Sequence, residues 1–414
     1  MPFVRGQPGQ ESGDRWRDAL RILELAGTMK TAEMKEIRRQ KSETYRAAVK
    51  AISEGDIPGK DGRTRFEAGI EMLDGMGAII ELPGETRHRH IAMDYAGIVT
   101  ERKADGKLKT ALVVSPTHKE GEQVTAAIRD ELKMQGRLGK DERQFLSLRS
   151  LNLTDAQKGD FREYRPGATV QFVQNAKGFA RGERLTVEEG GKNGVRARRA
   201  DGTMAMLPLN TPDRFQLFEA RQIALAPGDK LRTTMNGLVE QETRRGVLNR
   251  KRKYRVNNGA LQEVAGFTRN GGIKFANGAV LPKDYGGITH GYVVTSHASQ
   301  GKTVDVSLVA LGRESFAAAS REQAYVSFSR GREALRIYTD DKTGLMGAVQ
   351  GSAARLSATE LMQPATAKRR PSYMQRLIRT GFVQRAYTAL RERMAAYGHS
   401  VQHTPQREGL RLEH

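Results

Sequence analysis

The chain has 414 residues, with 69 lysines and arginines against 48 aspartates and glutamates, a formal net charge of +21 and no cysteine. Disulfides, thiolate nucleophiles and cysteine-held zinc are thereby excluded, and the length admits two to four domains with their own cores. A cation surplus of this size favours a polyanionic partner through phosphate neutralisation, while the lack of an apolar run of ~18 residues or of a signal peptide leads us to expect a cytoplasmic protein with no membrane span.

In chain order, residues 16–55 read as two helices, carrying Leu20, Leu23 and Leu25, then Ala47, Ala48, Val49 and Ile52, and ending at Gly27 and Gly55. "RHRH" at 87–90 reads as a solvated turn or strand. "KTALVVSPTHKEGEQVTAAIRDEL" predicts a strand over Ala111–Val114, a turn at Ser115 and Pro116, and a helix carrying Val124, Ala127, Ile128 and Leu132. That order is the repeating unit of an open α/β sheet. From Tyr164 the texture changes to short β-rich pieces between glycine turns, which predicts a small barrel. The charged run "EQETRRGVLNRKRKYR" inside it reads as an exposed loop. After Asp284 the α/β texture returns, with strands "GYVVTSH", "VDVSLVAL" and "LRIYTD" around a helical "REQAYVSFSRGRE".

The tail places Met374, Leu377, Ile378, Phe382, Tyr387, Leu390, Met394 and Tyr397 at helical spacing, with a basic opposite face. Such a helix can lie on DNA, on a membrane or on a partner, or dock as an ordinary terminal helix. His399 and His403 have the spacing of a zinc pair but no third ligand nearby, so no metal site is expected.

One tripeptide, Gly301-Lys302-Thr303, ends like a P-loop. The glycine required five residues earlier is replaced by Ser296, so the backbone amides of a phosphate cradle are not prepared here.

"TSHASQGKTVD" (295–305) and "QAYVSFSRGREALRIYTDD" (323–341) instead resemble motifs V and VI of RecD-type superfamily 1 helicases. The match is closest to the helicase region of conjugative relaxase-helicases (TraI/TrwC, MobF class). Thr295, His297, Ser299, Gln300, Gly301 and Thr303 fill the places of motif V, and Ser329 and Arg330 those of the serine-arginine pair of motif VI. The resemblance makes Arg330 the arginine finger, with Arg332 as its rival; an always-ionised guanidinium suits a phosphoryl-transfer transition state. "IRRQ" at 37–40 resembles motif IV, which makes Arg39 a second phosphate-facing arginine, with Arg38 as its rival.

The same resemblance implies the remaining contacts. ATP would be met by Gln10, Arg39, Gly301, Lys302, Arg330 and Arg332, with Arg330 and Arg39 catalytic. Single-stranded DNA would be met by Ser115, Thr117, His118, Thr295, His297, Ser299 and Gln300, and by Lys230, Arg232, Thr234 and Asn236 of an SH3-like insertion. "GQPGQ" stands in the place of motif III, where Gly6 and Gln10 match and the P-loop and Mg²⁺ ligands of a first lobe are missing.

The expected fold is therefore α/β: a RecA-like C-terminal helicase lobe with an inserted small SH3-like β-barrel and a basic helical tail. Residues 1–30 are read as a remnant of the first lobe, 31–160 and 286–345 as the second lobe, 161–285 as the insertion and 346–414 as the tail. ATP and Mg²⁺ would be used only with the missing lobe, and none is expected to bind this chain alone. The expected partners are single-stranded DNA and an upstream P-loop/relaxase polypeptide. The expected function is that of the DNA-binding lobe of a conjugative helicase; the alternatives are a non-enzymatic DNA-binding remnant or regulator and an RNA-binding barrel protein.

Overall fold

A strand covered by helices on both faces has no polar side to show, and "VDVSLVAL" reads as an almost unbroken apolar run for that reason: it is the middle strand of a five-stranded parallel sheet. The structure, a computed structural model, describes residues 37–59, 62–245 and 248–351. The chain runs through α1 (Glu43–Glu54), α2 (Arg65–Gly75), β1 (Ile79–Glu81), α3 (Gly84–Ile98), β2 (Ala111–Val114) and α4 (His118–Met134) before leaving the sheet.

Two antiparallel sheets follow. The first contains β3 (Arg143–Ser150), β4 (Thr169–Phe172), β5 (Arg184–Gly191), β6 (Gly194–Arg199), β7 (Met204–Met206) and β8 (Phe215–Leu225), in the order β3-β8-β4-β5-β6-β7. The second contains β9 (Lys230–Thr233), β10 (Gly237–Arg245), β11 (Leu248–Val256), β12 (Leu261–Phe267), β13 (Ile273–Phe275), β14 (Ala279–Leu281) and β15 (Ile288–His290), in the order β11-β10-β14-β13-β12-β9-β15. The chain then returns through β16 (Val293–Val294), α5 (Ser296–Ser299), β17 (Val304–Ala310), α6 (Arg321–Phe328), β18 (Gly331–Thr339) and α7 (Lys342–Gln350). The parallel order is β1-β18-β17-β2-β16.

Strand alternation sorts the parallel sheet's side chains into two cores. Leu112, Val114, Val309 and Ile337 face α1, α2, α6 and α7, and pack with Tyr45, Val49, Ile52, Phe66, Leu73 and Phe328. Val113, Leu308, Ala310 and Tyr338 face α3 and α4, and pack with Ile91, Tyr95, Val124, Ile128 and Leu132. Helix starts are fixed by local chemistry. Thr64 and Glu67 form a reciprocal capping box at α2, and Ser42 and Thr117 accept amide bonds at the starts of α1 and α4.

Several expectations change. The β-rich region is two sheets with separate cores rather than one small barrel, and it begins with β3 at Arg143, inside the stretch read as lobe. "EQETRRGVLNRKRKYR" is an antiparallel hairpin, not a loop, since β10 and β11 pair from Gly237↔Val256 to Arg245↔Leu248. "REQAYVSFSRGRE" is helical only to Phe328; from Gly331 it is strand. Gly6, Gln10, the tail helix and the pair His399 and His403 lie outside the described residues. Among the described residues, no helix is long and apolar enough to cross a membrane.

The largest departure is "RHRH", which lies in α3 with Arg87 at 0% exposure. Its Nη2 lies 2.7 Å from Glu314, 3.1 Å from Glu120 and 3.2 Å from His88, and Nη1 lies 3.7 Å from Asp340. His88, Glu120 and Glu314 bring their ligand atoms within 4.8 Å of one another, but the guanidinium already fills that centre. Glu120, also at 0% exposure, accepts from the Gly312 amide at 3.0 Å, Ser315 Oγ at 2.5 Å and Ser115 Oγ at 3.1 Å. Gly312 admits the arginine, because a Cβ there would stand 1.7 Å from Arg87 Nη1.

Removing one member of a buried ion pair strands the other in a medium that solvates it poorly. Arg87→Met is expected to cost about 3–5 kcal/mol in urea unfolding, and adding Glu120→Gln should recover part of that loss. A wild-type midpoint for Arg87→Met would show that the pair carries no such weight.

Candidate nucleotide and nucleic-acid interface

The two arginines singled out by sequence come together at the N-terminal edge of the parallel sheet. Arg330 immediately precedes β18, and Arg39 Nη1 donates to the carbonyl of Ser329 at 2.6 Å. Gln40, 2% exposed, donates to the carbonyls of Ser329 and Gly331 at 3.0 and 3.1 Å. The amide of Lys41 bonds the carbonyl of Arg332 at 2.8 Å, and Tyr45 Oη donates to the Phe328 carbonyl at 2.5 Å. The segment before α1 is thus stitched onto the α6–β18 junction.

Arg330 is only 6% exposed and its guanidinium is turned inward. Nε donates to the Val326 carbonyl at 2.6 Å and Nη2 to Ser329 Oγ at 2.9 Å, while Nη1 makes a looser 3.5 Å contact with the Lys302 carbonyl. Burial and then the neighbouring Arg39 push its pKa down. Arg332 and Arg38 are exposed.

Gly301-Lys302-Thr303 follows the helical turn α5 and leads into β17. A P-loop has the reverse order, opening a helix after a strand. Gly301 has φ of 80°, a left-handed turn conformation that glycine adopts readily. Thr295 caps α5 by accepting from the Ala298 amide at 3.4 Å, and His297 and Gln300 are exposed. Ser299 does not reach the surface: it is 0% exposed and donates to the Ser296 carbonyl at 2.6 Å.

At the C-terminal end of β2, Ser115 is also buried, 1% exposed, and satisfied by Glu120 and the Thr117 carbonyl. Thr117 Oγ1 pairs with Ser315 Oγ at 2.7 Å, and His118 opens α4 on the exposed side. Although partly exposed, the His118 ring is desolvated enough on its inner side to lower its pKa, with Arg149, Arg232 and Arg221 adding to the effect and Glu122 opposing it. Arg149 and Arg221 were not singled out from sequence. They come from β3 and β8, 72 residues apart, and both reach Glu122, at 3.4 and 2.8 Å.

The residues expected to touch DNA from the insertion divide. Lys230 stacks its ammonium over the Tyr95 ring, 5.5 Å from the centroid. Asn236 Oδ1 accepts from the Asn258 amide at 2.8 Å, holding a turn. Arg232 and Thr234, two residues apart on one side of the chain, keep Nε and Oγ1 buried without a hydrogen-bond partner. The sequence-derived residues therefore form an arginine pair at one edge of the sheet and a basic group around His118 and Arg232, with His297 exposed on α5 and Ser115 and Ser299 inside.

No family model and no curated protein matches the sequence. Among solved structures, the chain is similar to Pif1 helicase from Bacteroides in complex with ADP-AlF3 and ssDNA, at 15% identity and a TM-score of 0.25, covering 75% of this chain and 52% of that one. It is similar also to unliganded Pif1 from Bacteroides sp, at 15% identity and 0.22, covering 84% and 56%, and to Pif1 from Candida albicans, at 14% identity and 0.24, covering 75% and 57%. The chain thus spans little more than half the length of the structures it matches. At TM-scores this low the likeness assigns neither a fold family nor an activity.

Proposed function

We propose that the chain is the second lobe of a superfamily 1 DNA helicase of the conjugative relaxase type. In this reading it binds single-stranded DNA and lends arginines to ATP held by a P-loop lobe. The observation that carries the reading is the meeting of Arg39 and Arg330 at Ser329, from opposite ends of the described chain, in the places where the sequence resembles motifs IV and VI. Two guanidiniums side by side repel each other, and a polyphosphate between them and a partner lobe would relieve that repulsion. The described residues offer no P-loop and so do not fit ATP by themselves. The chain's own part is to supply positive charge as the phosphoryl group transfers, which requires Arg330 to exchange its bonds with Val326 and Ser329 for phosphate oxygens. Those inward bonds favour a second reading, a DNA-binding regulator that no longer acts on nucleotide.

The test is DNA-stimulated ATP hydrolysis. The chain alone is expected to show none, and with a P-loop lobe supplied Arg330→Ala should lower turnover by roughly 10³-fold or more, the scale of a lost arginine finger. Arg332→Ala should cost less; equal losses would mean that the wrong arginine has been assigned. Turnover by the chain alone, abolished by Arg330→Ala, would overturn the two-lobe reading, and an Arg330→Ala variant at full activity would favour the regulator.

Binding of DNA should also depend on pH through His118. Its pKa lies below the usual histidine value in the free protein, and an adjacent phosphate would raise it. Binding then takes up a proton, so affinity should rise as pH falls through the range in which the DNA-bound imidazole gains its proton. Fluorescence anisotropy with oligo(dT) at several pH values checks this, and His118→Asn should flatten the rise. A rise left intact in that variant would place the titrating group elsewhere.

A further inference from the structure

A half-buried arginine normally meets a carboxylate, because removing a guanidinium from water without a partner is costly. Arg232 on β9 breaks that expectation. Its Nε is buried and unpartnered, and among the described residues no carboxylate forms an ion pair with it. Thr234, two residues further, keeps Oγ1 buried and unpartnered as well. A third group reaches the same place from the parallel sheet. Lys302 Nζ lies 3.4 Å from the Gly259 carbonyl, and the Gly259 amide bonds the carbonyl of Thr233, between Arg232 and Thr234, at 2.8 Å.

The turn around 257–260 is fixed against β9. Thr233 Oγ1 donates to the Asn257 carbonyl at 2.6 Å, and Asn236 holds the Asn258 amide at 2.8 Å. Lys302 is therefore docked against a rigid corner of the seven-stranded sheet, beside Arg232. Both cations have lowered pKa values, Arg232 from burial and Lys302 from burial and then Arg232. Glu122, the carboxylate that opposes these cations at His118, is already shared by Arg149 and Arg221. Two positive groups thus meet where the described residues supply no ion-pair partner to Arg232, and the unpartnered Thr234 hydroxyl lies two residues further along the chain.

We propose that Arg232, Thr234 and Lys302 form a seat for one phosphodiester group of single-stranded DNA, at the join between the seven-stranded sheet and the turn that precedes β17. This rests on the reading of the chain as a DNA-binding lobe, and it moves Lys302 from the nucleotide side, where the motif resemblance puts it, to the DNA strand. The seat would tie the inserted sheet to the motif V turn through the backbone of the DNA, with no base contact and hence no sequence preference.

The seat makes two predictions of opposite sign. Without DNA, Arg232→Met should melt no lower than the wild type, because the variant loses an unpaired buried charge and keeps the stem. With oligo(dT), the same variant should bind more weakly, and its log–log salt slope should be shallower by about 0.7, the value for one phosphate on a single strand. Lys302→Met should reduce the slope similarly, which guards against a folding defect peculiar to position 232. A lowered melting temperature for DNA-free Arg232→Met, or slopes unchanged in both variants while the wild type binds, would overturn the seat and leave the lobe reading intact. If the wild type does not bind oligo(dT) at all, the lobe reading fails, and inorganic phosphate decides the seat. A rise in wild-type melting temperature over chloride at equal ionic strength, abolished by Arg232→Met, would retain an anion site, and no such rise would end it.

Discussion

The buried pair of Arg87 and Glu120 is the constraint on which this architecture turns. Neither side chain can reach water, so each charge must be met by protein, and the groups that meet them come from four separate stretches of chain. Arg87 belongs to α3 and Glu120 to the first turn of α4, while Gly312 and Glu314 follow β17 and Asp340 follows β18. The start of α4, where Thr117 and His118 stand, is thereby held by the same contact that fixes the end of the central strand. Ser315 carries the link further, since its hydroxyl touches both Glu120 and Thr117.

The two groups of candidate residues occupy different ends of the parallel strands. Arg330 and Lys302 precede β18 and β17, whereas Thr117, His118 and Thr295 follow β2 and β16. The segment 295–303 joins the two ends within one short stretch of chain, passing through the single turn of α5. A displacement of that segment would be felt both at Arg330 and in the seven-stranded sheet, since Arg330 Nη1 touches the Lys302 carbonyl while Lys302 Nζ touches Gly259. Backbone and side chain of one lysine thus face different neighbours.

What was legible in the sequence follows from burial on two faces. "LVV" and "VSLVAL" are apolar because helices cover both sides, and the strand-turn-helix at 111–134 shows a short unbroken apolar run giving way to a period near 3.6. Arg87 was not legible, because its partner Glu314 is 227 residues away and local composition reads only polarity. The β10–β11 hairpin was hidden because its charged strands carry none of the apolar alternation that marks a half-buried strand. β8 hid the division, being one long strand that serves both cores, with Phe215 and Leu217 in one and Leu225 in the other. In the candidate site, the motif resemblance singled out Arg39 and Arg330 but could not separate hydroxyls that face outward from those already satisfied inside. Ser115 and Ser299 are of the second kind, bonded to Glu120 and to the Ser296 carbonyl.

The way the β-sheets are attached has a consequence for how this chain can vary. Departure and return lie side by side: Arg129 of α4 grips Asp229 through two bonds of 3.0 Å, and Asp229 accepts from Tyr292, just before β16, at 2.8 Å. One carboxylate therefore ties together positions 129 and 292, about 160 residues apart, and doubling such a loop would cost only about 0.6 kcal/mol in closure entropy. The parallel sheet is nearly indifferent to the size of what hangs between β2 and β16. Insertions and deletions within the β-sheets should be tolerated across related chains wherever the Arg129–Asp229–Tyr292 clasp is kept, and loss of the clasp should be far more disruptive than loss of a peripheral strand such as β7.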